Sequence, residues 1–330
     1  MGDVAMTIPV VYAAAKANPN DSFTMLTQTS LIPLFVDRPS NLNMTGVNTK
    51  TTEKSFFGFL RYVLKLRQYQ FDNVLDLHDV IRSRIVDLIF RLYGKKVFVI
   101  DKRRKEQKRL IARPPKNLQP LLPVTDRYAE VFRKAGFCFE ETFTSLNAGQ
   151  ADEIITMFGA KKGRWIGVAP FAKHQGKVYP IGKMERVVQA LTEQDNCRIF
   201  LFGGRGVEET TLNLWEEKYK NTVNVAGKYL LDTELALISV LDVLVSMDSA
   251  NMHLASLVGT NVISIWGATH PFSGFYGYRQ RPDLAVQVDL PCRPCSIYGK
   301  KPCYRGDWAC MNRVTPEQII HKINNCLQAL

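Results

Sequence analysis

The sequence predicts an α/β protein built from two doubly wound, Rossmann-like domains, and three observations predict it. Short β-rich runs alternate with helical periods, the rhythm of a parallel sheet wrapped by helices. That rhythm stops near residue 145 and resumes after residue 160. The chain has 330 residues, enough for two domains of about 150 residues each.

In the first half the runs are "SFTMLTQ", "FFGFLRYVLKL", "FDNVLDL", "IRSRIVDLIFRLYG" and "KKVFVID". In the second they are "RWIGVAP", "KMERVVQALTEQ", "CRIFLFGG", "EETTLNLWEEKY", "NTVNVAG", "TELALISVL", "DVLVSMD", "NMHLASLVG" and "NVISIWG". Between them "EETFTSLNAGQADEIITMFGAKKG" shows no strand pattern until Trp165. The hinge is therefore expected within residues 145 to 160, with domains at 1–150 and 151–330. The tail "TPEQIIHKINNCLQAL" opens with a Thr cap and a Pro at the first helical position, which predicts a terminal helix. At the other end, "MGDVAMTIPVVYAAAK" is a Gly-Asp turn running into an apolar helix. A doubly wound domain opens on a strand, so the first strand of this domain is expected to be missing.

Composition narrows the function classes. Hydrophobic residues make up 46% and charged residues 22%, which is ordinary for a globular protein and excludes a disordered or fibrous one. Apolar runs stop far short of the ~20 residues that span a bilayer, and no signal peptide is evident, so a cytoplasmic protein is expected. Lys and Arg number 43 against 31 Asp and Glu, a net charge of +12. An excess of that sign suits an anionic partner: nucleic acid, a membrane surface or a phosphorylated small molecule. The stretch "DKRRKEQKRLIARPPK" is either a solvated helix and loop or the rim of an anion site.

In doubly wound sheets ligands sit beyond the carboxyl ends of the strands, so the turns leaving each strand carry the chemistry. "VSMDSANMH" puts Asp248 and Ser249 where a helix starts, with backbone N–H groups facing an anion such as a phosphate. A plain helix cap, worth about 1 kcal/mol, is the simpler reading of that pair. It leaves His253, one turn further along, unexplained. "VAPFAKHQGKVYP" carries Lys173 and Lys177, either solvated or neutralising a diphosphate. "LFGGRGVEE" lacks the third glycine of the dinucleotide fingerprint, which disfavours a dehydrogenase. Its Glu208 and Glu209 either complement the helix dipole, at roughly 0.3 to 1 kcal/mol, or hold a ribose diol. Asp3 reads on local grounds as a helix cap. Cys292, Cys295, Cys303 and Cys310 share the spacing C-x2-C-x7-C-x6-C, which suits a structural clip, either a tetrahedral zinc or thiol packing.

Together "MGDVAMTIPV", "FDNVLDLHDVIRS", the "GKVYP" turn, "MDSANMHLASLVGTNVISIWGATHP" and "PCRPCSIYGKKPC...CMNRVTPEQII" resemble glycosyltransferase family 9, the ADP-heptose:lipopolysaccharide heptosyltransferases, over nearly the whole chain. The resemblance implies a GT-B fold whose two Rossmann-like domains face a central cleft, acceptor on the N-terminal one and nucleotide-sugar on the C-terminal one. It implies an inverting, metal-independent transfer of a heptose or related sugar, carried as ADP-heptose in the family, to a lipopolysaccharide core. Asp3 falls on the family's catalytic base, Lys177 on the donor diphosphate, and Asp248, Ser249 and His253 around the phosphates and sugar. Glu208 or Glu209 falls on the ribose, and Arg82, Thr269 and His270 on the substrates. No cofactor is implied, and the partners are the donor, a glycolipid acceptor and an anionic inner-membrane surface rather than nucleic acid. Ala250 stands where the family has glycine, which implies a less close backbone approach to phosphate, and the cysteine segment occurs in only part of the family. Two other readings remain open: a truncated nucleotide-binding protein without transfer activity, and a zinc-clipped, basic nucleic-acid-binding protein. Regained turnover on restoring an upstream strand would identify the first, and salt-steep nucleic-acid binding with stoichiometric zinc the second.

Overall fold

The computed structural model describes residues 1–51, 53–149 and 151–329. Residues 3–104 and 122–144 form one compact unit, and residues 105–121 with 145–330 form the other. The expected boundary falls on Gln150, which lies outside the described residues.

The first unit opens with α1 (Gly2–Ala17), followed by β1 (Phe23–Gln28), β2 (Leu42–Val47), α2 (Phe56–Lys65), β3 (Asn73–Asp76), α3 (Ile81–Leu92) and β4 (Lys96–Val99). Next come α4 (Arg104–Leu110), which runs into the second unit, and α5 (Val124–Lys134). Every residue of α1 from Ala5 to Ala15 is buried, as its nearly continuous apolar sequence requires. The strands pair in parallel two by two, β1 with β2 from Phe23 opposite Leu42 and β3 with β4 from Asn73 opposite Lys96. No described strand joins the two pairs. Neither β2 nor α5 was expected from the sequence. The segment "LNMTGV" lacks the alternation that marks a half-buried strand.

The second unit continues with α6 (Ala151–Phe158), β5 (Arg164–Ala169), α7 (Ile181–Thr192), β6 (Cys197–Leu201), α8 (Val207–Lys218), β7 (Thr222–Asn224) and α9 (Leu231–Ser239). It closes with β8 (Val243–Met247), α10 (Ala250–Leu257), β9 (Val262–Ile265), β10 (Ala285–Val286), α11 (Ala309–Asn312) and α12 (Pro316–Gln328). Six parallel strands lie in the order β10-β9-β8-β5-β6-β7, and β8 and β9 are buried along their whole length. That is the doubly wound order, in which the chain starts at the centre with β5 and winds outward in both directions. The strand order therefore reverses between β5 and β8. Residues 105–121 belong to this unit because Leu110 and Leu121 pack with Ile297 and Phe272, and the Leu121 N–H donates to the Phe272 carbonyl at 2.8 Å.

Candidate functional site

The turns leaving β5 and β8 flank the switch point, where sheets of this kind bind their ligands. Lys177 comes from the first turn and Asp248 from the second, and Nζ lies 2.8 Å from Oδ2. The carboxylate is 3% exposed and the ammonium 16%, so the pair is largely desolvated. Gly299 sets the lysine's path: its φ is +71°, and a Cβ there would come within 2.7 Å of Lys177 Cγ. The Gly176 N–H donates to the Gly299 carbonyl at 3.2 Å, and the Ala268 N–H donates to the Gly176 carbonyl at 2.8 Å. Three turns distant in sequence are thereby stitched around Lys177.

Ser249 occupies the N-cap of α10 in an extended conformation, yet its side chain makes no capping bond. Its hydroxyl lies 3.2 Å from that of Ser246. The simple capping reading of Ser249 is therefore corrected: the first N–H groups of α10 carry no side-chain cap, and they form the positive end of a helix dipole. His253 is buried one turn along the same helix. Lys173 stands exposed. His174, which the sequence reading passed over, is held below the ordinary histidine range by burial and then by the charges of Lys300, Lys177 and Lys173. Three lysine ammonium groups around one imidazole mark a locally positive surface, suited to anions.

The turn after β9 is organised by a residue that the sequence reading also missed. Arg293, 2% exposed, donates to the carbonyls of Gly267 at 2.6 Å, Thr269 at 3.0 Å and Trp266 at 3.2 Å, to Gln287 Oε1 at 3.0 Å, and to the Val288 carbonyl. All five acceptors are uncharged, so this buried cation serves as a clamp on backbone. Thr269 is fully buried, and its hydroxyl has no hydrogen-bond partner among the described residues. His270 Nδ1 accepts the Phe272 N–H at 3.1 Å, which leaves the proton of the neutral ring on Nε2. Burial, then the Arg293 charge, lowers its pKa to about 4.

Glu208 and Glu209 are separated by what they touch. Glu208 Oε2 accepts the Gly204 N–H at 2.6 Å, at the exit of β6, whereas Glu209 Oε2 accepts the Gly206 N–H at 3.4 Å as the helix cap of α8. Glu208 is the one that reaches the strand end.

In the first unit, Asp3 lies in the first turn of α1 behind an N-cap at Met1, so the cap reading of Asp3 is corrected. It is exposed, and its carbonyl accepts the Tyr128 hydroxyl at 3.4 Å. Arg82 lines a surface depression with Asp79, Val80, Ile81, Arg84 and Arg104. Asp79 binds Arg84 Nε at 2.8 Å and Arg104 at 2.5 Å. Burial opposes its charge, but these cations outweigh burial and hold its pKa below the usual range. Beneath it, Asp76 accepts the N–H groups of His78 at 2.7 Å and Asp79 at 2.9 Å and the Ser83 hydroxyl at 2.7 Å. Burial and the neighbouring Asp76 raise Asp87 to about 7.

Cys292, Cys295, Cys303 and Cys310 are free thiols, and Cys310 is buried in the core of the second unit. Among the described residues no three His, Cys, Asp or Glu side chains are grouped to hold a metal ion. What ties this segment down is Arg293, together with Lys116, whose Nζ donates to the carbonyls of Cys292 at 3.1 Å and Pro294 at 2.6 Å.

Residues 59–302 match the model of "Glycosyltransferase family 9 (heptosyltransferase)". The chain is 20% identical over 327 residues to lipooligosaccharide heptosyltransferase 2 of Campylobacter jejuni, covering 98% of this chain and 95% of that protein. A glycosyl transferase family 9 structure from Veillonella parvula superposes with a TM-score of 0.77 at 17% identity, covering 100% of this chain and 95% of the other. The structure of E. coli ADP-heptose lps heptosyltransferase II gives 0.70 at 17% identity, covering 99% and 96%. At these identities the two structures speak to the fold, which is α/β of the GT-B kind.

Proposed function

The chain belongs to glycosyltransferase family 9, and from that premise we propose that this glycosyltransferase moves a heptose, or a related sugar, from ADP-heptose to a lipopolysaccharide core acceptor, with inversion and without a metal. The observation that carries the reading is the Lys177–Asp248 pair at the strand-order switch, beside the uncapped N-terminus of α10. Its chemistry fits a leaving diphosphate, where negative charge grows as the bond to the sugar breaks.

In this reading the acceptor hydroxyl oxygen attacks the anomeric carbon from the face opposite the diphosphate. The carbon–oxygen bond to the β-phosphate breaks, its electron pair leaves with ADP, and the hydroxyl proton passes to Asp3. General-base assistance of this kind contributes about 10²- to 10⁴-fold. Lys177 and the α10 N–H groups hold the diphosphate, with Asp248, Ser249 and His253 around the phosphates and sugar. Glu208 takes the ribose, its carboxylate lying at the β6 exit. Thr269 and His270 meet the donor sugar, the histidine as a neutral Nε2–H donor. Arg82 meets an anionic group of the acceptor. In this reading the enzyme meets its lipid-borne acceptor by peripheral association at the inner membrane; no helix among the described residues is long and apolar enough to cross a membrane.

Calorimetric titration of ADP, UDP, GDP and CMP into wild type and Lys177→Ala tests the donor. Selective ADP binding that the substitution weakens is expected, whereas preference for UDP or GDP overturns the ADP assignment. Asp3→Ala is expected to bind ADP normally and lose transfer, and full transfer by that variant overturns the base.

A further inference from the structure

We propose that the outer faces of α2 and α3 form one docking surface for an anionic lipid bilayer. The two helices pack on each other, sharing a core through Phe59, Val63, Ile89 and Phe90. What each leaves outward is unusual for a solvated helix. On α2, Phe57, Arg61, Leu64 and Lys65 follow one stripe at i, i+4, i+7 and i+8, with Phe57 79% exposed and Leu64 41%. On α3, Ile81, Leu88, Arg91 and Leu92 follow another at i, i+7, i+10 and i+11, with Ile81 82%, Leu88 59% and Leu92 77% exposed.

α2 has no acidic residue, and the one acid of α3, Asp87, is buried. Large apolar side chains thus alternate with the cations Arg61, Lys65 and Arg91 across two adjacent helices. Where α3 ends, the Arg67 guanidinium stacks 3.7 Å over the half-exposed Tyr93 ring, an aromatic with a polar tip beside a cation. A protein partner for such a patch would need a large acidic surface, while an anionic bilayer supplies hydrocarbon and negative charge together. The reading meets the proposed function in one respect: a lipid-borne acceptor brings the enzyme to such a surface.

Co-sedimentation with vesicles that carry no acceptor separates the two. Vesicles of phosphatidylethanolamine and phosphatidylglycerol should bind wild type at least tenfold more tightly than purely zwitterionic ones. Phe57→Ser with Leu92→Ser should lower the partition coefficient about tenfold or more. Arg61→Gln and Lys65→Gln should each lower it about fivefold at low salt. Unchanged ADP affinity and melting temperature show that the variants remain folded. The proposal is overturned by equal binding to both vesicle types, by substitutions that leave binding unchanged, or by substitutions that split a dimer instead. If vesicle binding is absent while a delipidated, water-soluble acceptor is still glycosylated, docking falls and the enzymatic reading stands. If vesicle binding holds without transfer, the enzymatic reading falls and docking stands.

Discussion

Lys177 and Asp248 meet 2.8 Å apart, although 71 positions separate them, because β5 and β8 are neighbours in the sheet and each residue leaves the carboxyl end of its own strand. Removing one partner strands the other charge in a dry site, at a cost of about 3 kcal/mol. Lys177→Met should therefore lower stability by that order in denaturant melts and weaken ADP binding. Adding Asp248→Asn should restore most of the stability and none of the affinity. A double variant no more stable than Lys177→Met alone would show that the pair is uncoupled.

Gly299→Ala probes the same lysine from behind. The left-handed backbone and the 2.7 Å approach to Lys177 Cγ leave no room for a methyl group. A stability loss on the order of 1 kcal/mol or more is expected, with weaker ADP binding although the substituted residue carries no polar group. Wild-type affinity in the folded variant would show that the lysine stem is free to move.

Arg293→Met should be among the most destabilising single changes in the second unit, at least about 3 kcal/mol, since it leaves several buried carbonyls unpaired at once. Thermal melts measure it. Arg293→Lys should recover little, because three donors on one nitrogen cannot reproduce a planar fork.

Glu208→Gln and Glu209→Gln should part company. The first is expected to weaken ADP binding more than it weakens the binding of an analogue lacking both ribose hydroxyls. The second should lose about 0.5 to 1 kcal/mol of stability through its cap and leave ADP affinity unchanged. The reverse pattern in calorimetry would transfer the ribose to Glu209.

The buried Asp87 and the half-buried His270 pull stability in opposite directions with pH. Asp87 is raised to about 7, so between the ordinary carboxyl range and 7 the folded chain holds a proton the unfolded chain lacks, and stability falls as pH rises through that window. His270 is lowered to about 4, so between about 4 and 6.5 the unfolded chain holds the extra proton, and stability falls as pH drops. Asp87→Asn should remove the first slope and His270→Gln the second, read as denaturation midpoints from pH 4.5 to 8. A variant whose profile parallels wild type would exclude its residue as the source.

The class of this protein was written in local order. Alternating strand and helix periods, and polar residues at strand exits, need only the neighbouring sequence to be recognised, because each turn's chemistry is set within a few residues. Lys177, Asp248, Ser249 and His253 stood out for that reason. Arg293 did not: it lies between two cysteines in "CRPC", and nothing nearby shows that its fork will be buried against five uncharged acceptors. The same is true of Gly299 behind Lys177, of the assignment of residues 105–121 to the second unit, and of which glutamate reaches the β6 exit. Those outcomes depend on which distant segments share a buried space, and burial is decided only when the whole sheet and its turns are packed.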